Sequence, residues 1–163
     1  MAKPDGRIDA MSGSGCEIWF YHLERSTLDQ VLPELLDRTL ARDWRALVRV
    51  RDPDRLEQLD DRLWGWRDDA FLAHGRSDRE HADRQPILLT DQADNPNGAQ
   101  ALFIVDGAEL GDLAGFERCF VVFDGRDEAS VTDARALWAR LKKAGGSLAY
   151  WKQTETGRWE KAA

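Results

Sequence analysis

A chain of 163 residues with 42% hydrophobic and 33% charged residues has the composition of one globular domain with a real core, and is neither disordered nor fibrous. Its formal net charge of −7 argues against direct binding to a DNA backbone, which needs clustered Lys and Arg. Two cysteines, Cys16 and Cys119, are too few for a disulfide framework and predict inert thiols in a cytoplasmic protein; with three scattered histidines they lack zinc-ligand spacing.

Residues 1–15, with Asp5-Gly6 and the run Ser12-Gly13-Ser14-Gly15, read as a flexible leader ahead of a domain over 16–163. They contain no apolar core of a signal peptide, and the apolar runs elsewhere are about strand length, too short to span a membrane. Glu17 to Tyr21 is aromatic and β-branched and predicts a strand. Ser26, with Asp29 three residues on, predicts the cap of a helix whose apolar face is Leu28, Val31, Leu32, Leu35, Leu36 and Leu40, kinked at Pro33. Ala46 to Val50 predicts a second strand. Asp52-Pro53 then starts a helix with Leu56, Leu59 and Leu63 inward, ending near Trp64-Gly65.

The stretch from Arg67 to Pro86 is polar and predicts a loop, with His74 and His81 facing water. Ile87 to Thr90 and Ala101 to Val105 read as strands separated by the turn Asn95-Pro96-Asn97-Gly98. Cys119 to Phe123 is a buried strand. A helix from about Glu128 to Ala144 follows, with Val131, Ala134, Trp138 and Leu141 inward and Gly145 as its stop. Ser147 to Lys152 predicts a last strand, with Arg158-Trp159-Glu160 folding back on it. Apolar strands alternating with helices indicate an α/β fold: one Rossmann-like domain, its mostly parallel sheet covered by helices on both faces.

Such a fold often binds nucleotides, but the fingerprints are missing. Tyr21-His22-Leu23-Glu24-Arg25 stands where a glycine-rich turn would be, and there is no phosphate loop. Asp124-Gly125 reads as a turn. There is no nucleophile elbow, neither cysteine has a histidine context, and His22 reads as a structural histidine. No catalytic set, cofactor site or metal site emerges.

One charge anomaly stands out. From Arg135 to Thr154 the chain carries Arg135, Arg140, Lys142, Lys143 and Lys152 with no Asp or Glu, a segment of +5 that leaves −12 for the rest. Arg135, Ala139 and Lys142 share a helix face flanked by Trp138, the makings of a basic-rimmed shallow pocket for a peptide ending in acidic and apolar residues. An ordinary solvated face over a buried tryptophan fits the same pattern. Trp64, Trp66 and Phe71 pose a similar choice, between a partner surface and a plug at the sheet edge.

Several segments in order resemble the chi subunit family of bacterial DNA polymerase III. They are Phe20-Tyr21-His22-Leu23, Leu63-Trp64, Phe71-Leu72-Ala73-His74, Gln85-Pro86-Ile87-Leu88-Leu89-Thr90, Asn95-Pro96-Asn97-Gly98, and Tyr150-Trp151-Lys152-Gln153 with Gly157-Arg158-Trp159-Glu160-Lys161. The resemblance spans roughly Glu17 to Ala163. It implies a non-catalytic accessory subunit of the clamp-loader assembly, with a nucleotide-binding-like fold but no working nucleotide site. It also implies binding to the acidic C-terminal tail of single-stranded-DNA-binding protein, so that DNA is reached only indirectly. A separate hydrophobic surface would take the small psi subunit or a repair helicase. Matched by position, the tail site comprises Arg135, Trp138, Lys142 and Lys143, with Ala139 where the family has a lysine, and the second surface comprises Trp64 and Phe71. The competing reading is a Rossmann-like enzyme acting on a nucleotide or phosphorylated ligand. A third is single-stranded DNA binding through the tryptophans and the basic helix.

Overall fold

The computed structural model describes residues 15–65 and 72–163. Residues 1–14 of the expected leader, together with Trp66 and Phe71, lie outside the described residues. Eight strands form one sheet: β1 (Glu17–Leu23), β2 (Ala46–Arg49), β3 (His74–Arg76), β4 (Ile87–Thr90), β5 (Ala101–Val105), β6 (Arg118–Asp124), β7 (Ser147–Gln153) and β8 (Trp159–Lys161). Their order is β3-β4-β2-β5-β6-β1-β7-β8. Every neighbouring pair is parallel except the β7–β8 hairpin. The described helices are α1 (Leu28–Ala41), α2 (Pro53–Trp64) and α3 (Glu128–Lys143).

Strand residues alternate between two cores, as a sheet covered on both faces requires. Tyr21, Leu23, Val48, Phe103 and Val122 face α1 and α2, meeting Leu32, Leu36, Leu59 and Leu63. Ile18, Phe20, Leu47, Leu102, Val121 and Phe123 face Ala134 and Leu141 of α3 and the segment carrying Leu110, Leu113 and Phe116. The fold is thus the mostly parallel α/β architecture expected. At the β7–β8 end of the first face, rings form the cover: Trp19 lies 5.4 Å from Trp151, Trp159 stands edge-on to Tyr21 at 4.7 Å, and the Arg118 guanidinium sits 4.0 Å over Trp19.

Three local expectations need correction. The cap of α1 is Thr27, not Ser26: Gln30 N–H donates to Thr27 Oγ1 while Thr27 N–H donates to Gln30 Oε1, a complete capping box one residue later than expected. The helix contains the buried Pro33, as expected, at the loss of one backbone donor. His74 does not face water. It opens β3, a three-residue edge strand inside the stretch expected to be loop, and is 5% exposed. Its Nδ1 lies 2.7 Å from the Leu72 carbonyl, and its Nε2 is 3.1 Å from the Asp60 carboxylate, though too far off line for a hydrogen bond. His81 is exposed, as expected.

The motif Asn95-Pro96-Asn97-Gly98 has a structural use. Asn97, 2% exposed, donates through Nδ2 to the carbonyls of Ala46 and Gln85, tying the starts of β2 and β4 together.

Candidate partner-binding site

The site builds from α3. Asp127 caps it, accepting from the backbone N–H and hydroxyl of Ser130. At the other end Gly145 takes φ +86°, which lets Gly146 N–H donate to Leu141 O and Gly145 N–H to Lys142 O, a Schellman stop. Between these ends the spacing of Val131, Ala134, Trp138 and Leu141 turns one stripe to the sheet. Ala134 and Leu141 are buried, while Val131 and Trp138 are half-buried.

Trp138 stands edge-on to Phe20 at 5.3 Å and to Tyr150 at 5.5 Å. Arg135, Lys142 and Lys143 are exposed. Lys142 follows Trp138 by one turn, on the side of Arg135; Lys143 lies in the same last turn. The tail-site residues read from sequence therefore belong to one helix surface. Ala139 is exposed among them and leaves the middle of that face without a long side chain.

Strand β7 supplies a second wall that the sequence reading did not include. Leu148, Tyr150 and Lys152 alternate onto the α3 side of the sheet, and Tyr150 Oη lies 2.6 Å from His22 Nδ1. His22, 6% exposed, is the penultimate residue of β1, with its Nε2 3.3 Å from Glu24 Oε1; the same carboxylate oxygen is 3.6 Å from Lys152 Nζ. Burial holds the imidazole below its ordinary pKa. Glu24 and Asp124 work against that, and Lys152 and Arg135 reinforce it. Burial likewise raises the Tyr150 phenol, while Arg135 lowers it. Arg135 is therefore near enough for its charge to act on both rings. The period-2 run Leu148, Tyr150, Lys152 was the available signal for this wall. His22 has partners that only the fold brings together.

Asp124-Gly125 is the turn it was read as. Gly125 N–H donates to Leu23 O at 2.7 Å, and the Asp124 carboxylate, held low first by the Arg126 backbone N–H, accepts from that amide at 2.9 Å. A Cβ on Gly125 would overlap Nε2 and Cδ2 of His22, so glycine is what admits the imidazole here.

In doubly wound folds a phosphate rests on the amides of the first strand-to-helix turn. Here the successive N–H groups of Glu24, Arg25 and Ser26 donate to one oxygen, Gln153 Oε1 of β7, at 3.2, 2.8 and 3.1 Å. The side chain is held in turn by its Nε2 donating to Ser26 Oγ at 3.0 Å. The protein fills its own phosphate nest.

The remaining candidates are quickly placed. Burial raises the Cys16 thiol to about 11 and the Cys119 thiol well above its ordinary value, so neither is an activated nucleophile. Among the described residues no group of His, Cys, Asp and Glu is arranged to hold a metal ion, and no helix is long and apolar enough to cross a membrane. A groove of about 720 Å³ lies on the other flank of α3, against the segment from Asp106 to Gly111. It takes in Leu137 and Arg140 but none of Arg135, Trp138, Lys142 or Lys143. Trp64 closes α2 and is the large hydrophobic exposed among the described residues, at 57%, with its ring 4.4 Å from that of His74. Phe71, its expected companion, lies outside the described residues.

Residues 16–149 match the family described as "DNA polymerase III chi subunit, HolC". The protein named "Probable DNA polymerase III subunit chi" from Rickettsia prowazekii (strain Madrid E) is 23% identical over 150 residues, covering 88% of this chain and 90% of its own length. The chain belongs to the DNA polymerase III chi subunit family, an accessory subunit in DNA replication.

Proposed function

We propose that this chain is a non-catalytic, cytoplasmic adaptor that links the clamp loader of DNA polymerase III to single-stranded-DNA-binding protein by holding that protein's acidic C-terminal tail. The observation that carries the reading is the seam between α3 and β7. There an exposed arginine, a half-buried tryptophan and a half-buried tyrosine lie together inside the one strongly cationic segment of an acidic protein. The terminal apolar residue of the tail packs on Trp138, its carboxylate meets Arg135, and upstream acids meet Lys142 and Lys143. Burying a phenylalanine-sized side chain contributes about 1.5–3 kcal/mol, whereas an exposed ion pair adds about 0–1 kcal/mol. The apolar anchor dominates affinity, and charge sets encounter rate and salt response. Trp64, with Phe71, is the surface for a second protein, the psi subunit or a repair helicase.

The filled nest between β1 and α1 weighs against the competing enzyme, because a nucleotide phosphate would have to displace Gln153 from three amides at once. A thermal-shift screen with ATP, NAD and divalent metals separates the two, since a ligand of the native state raises its melting temperature. The direct test is titration with a fluorescent peptide copying the tail, beside one lacking the final apolar residue. Micromolar binding, about −8 kcal/mol, lost on truncation and weakened by Arg135→Ala, is the expected result. Tail binding unchanged by Arg135→Ala would remove the site from α3.

A further inference from the structure

The contacts of His22, one hydrogen bond to Tyr150 and one ion-pair contact to Glu24, assign the proton shared between the two rings, beside the tail seat. Glu24 as a carboxylate can only accept. Nε2 lies 3.3 Å from Glu24 Oε1, an ion-pair contact too far off line for a hydrogen bond, and the carboxylate's charge places the hydrogen of the neutral ring on Nε2, since the alternative sets a lone pair against a negative charge. Nδ1 is then an acceptor, and the group 2.6 Å away that can donate to it is the Tyr150 hydroxyl. The phenol proton therefore points inward to His22, and the other side of the oxygen holds lone pairs, with the Trp138 ring 5.5 Å from the Tyr150 ring and Arg135 one helical turn before Trp138. Gly125 lies close against the Nε2–Cδ2 edge of the imidazole, where a Cβ would overlap it.

Adding one proton to His22 reverses the arrangement. Nδ1–H now donates to the Tyr150 oxygen, Nε2–H still faces the Glu24 carboxylate, and the phenol proton is released outward. We propose, building on the tail-binding reading, that Tyr150 is a specificity residue of the carboxylate seat and His22 its positioning residue: the Tyr150 hydroxyl donates to a carboxylate bound at Arg135 only when His22 is protonated, so that binding draws a proton onto His22. The balance is one proton taken from solvent per carboxylate bound, with no bond made or broken in the peptide. The charged groups facing the ring act in both directions. Glu24 and Asp124, the latter paired with Arg126, favour the imidazolium; Lys152 on β7 and Arg135 on α3 oppose it. An incoming carboxylate offsets the Arg135 charge and so tips the ring toward protonation, and by linkage protonation tightens binding by the same factor.

The experiment titrates a short acidic peptide ending in phenylalanine with a free carboxylate, between about pH 8 and pH 5.5, across the range where histidine titrates. Wild-type affinity is expected to rise about fivefold or more toward low pH, the lower end of ordinary coupling. Calorimetry in buffers of different ionisation heat is expected to show proton uptake on binding. His22→Gln and Tyr150→Phe are expected to abolish both effects. Tyr150→Phe should weaken binding at the acid end and leave it unchanged or tighter at the alkaline end, a change of sign that loss of packing would not produce. Binding that is tight but indifferent to pH, with no proton uptake, overturns the inference and leaves the tail site standing. Absence of peptide binding at every pH overturns the tail reading and this inference with it. An independent arm needs no variant and no peptide: nitrogen-15 spectra of the wild-type imidazole are expected to show the Nε2–H tautomer near pH 8. The Nδ1–H tautomer would refute the proton placement outright.

Discussion

Replacing Gln153 by alanine removes one oxygen and leaves three donors facing each other. The amides of Glu24, Arg25 and Ser26 converge on Gln153 Oε1, and the residue is 7% exposed, so water does not simply flow in behind it. At about 0.5–1.5 kcal/mol net for each hydrogen bond, three give roughly 1.5–4.5 kcal/mol, and partial hydration of this turn from the Ser26 side trims the expected loss to about 1.5–4 kcal/mol. For a domain of this size that lowers the melting temperature by roughly 5–15 °C. Urea unfolding is the assay, with the midpoint falling and the slope unchanged. Two controls make the reasoning specific. Gln153→Glu keeps an acceptor for all three amides and should retain most of the stability. Added phosphate or sulfate should stabilise the alanine variant more than wild type at equal ionic strength, because the emptied nest is an anion site. A loss below about 0.5 kcal/mol would refute the account, since water would then replace the glutamine oxygen at no cost.

Arg49 is 4% exposed and donates to the carbonyls of Gln92, Leu110 and Ala93 at 2.8, 3.0 and 3.0 Å. Arg49→Met strands those acceptors and should cost about 3 kcal/mol or more in urea unfolding; a loss under about 1 kcal/mol would show the loops are held otherwise. Alkaline stability carries a sign of its own. Cys16 and Tyr21 have pKa values raised by burial to about 11 and about 12, from ordinary values of 9.0 and 10.0, so their contribution is whole below those ordinary values and is lost as pH rises through the folded ones. Stability should fall from about pH 9 upward, and Cys16→Ala should flatten the first part of that decline in a pH series of urea melts.

Where burial on both faces dictates the sequence, the fold was plain from it. β4, β5 and β6 are near-continuous apolar runs because the sheet has helices or packed loop on each side, and the period of α3 was legible as one helix carrying both Arg135 and Trp138. β3 escaped notice because three residues containing a glycine and an arginine make no apolar run, and its buried histidine is held by partners from α2 and its own loop. The α1 cap slipped by one residue because Ser26 and Thr27 are both good caps; the long-range bond from Gln153 occupies Ser26 and leaves Thr27 for the helix. Half of the candidate site was hidden for the same reason. Arg135, Trp138 and Lys142 are related by helical spacing within one element, whereas His22 and Tyr150 stand 128 positions apart and meet only because β1 and β7 pair.

The same charge distribution that marks the site makes an unusual prediction for association kinetics. An acidic tail approaching a protein of −7 is repelled by the whole molecule and attracted by the segment from Arg135 to Thr154. Which is felt depends on screening. The folded domain has a radius of gyration of about 15 Å, against a Debye length of about 30 Å at 0.01 M salt and about 10 Å at 0.1 M. At the lower salt the tail senses the entire charge, and at the higher it senses chiefly the cations nearest Arg135 and Lys142. The association rate should therefore rise with added salt, pass through a maximum near the concentration where the Debye length matches the domain radius, and fall once the local attraction is screened too. Dissociation, governed by the apolar anchor, should change little. Neutralising Arg135, Lys142 and Lys143 together should remove the maximum and leave a rate that climbs steadily with salt. Stopped-flow mixing with labelled tail peptide reads both rates. A wild-type rate that falls monotonically from the lowest salt would mean that the basic segment alone steers the encounter, and that the acidic remainder lies too far from the path of approach to matter.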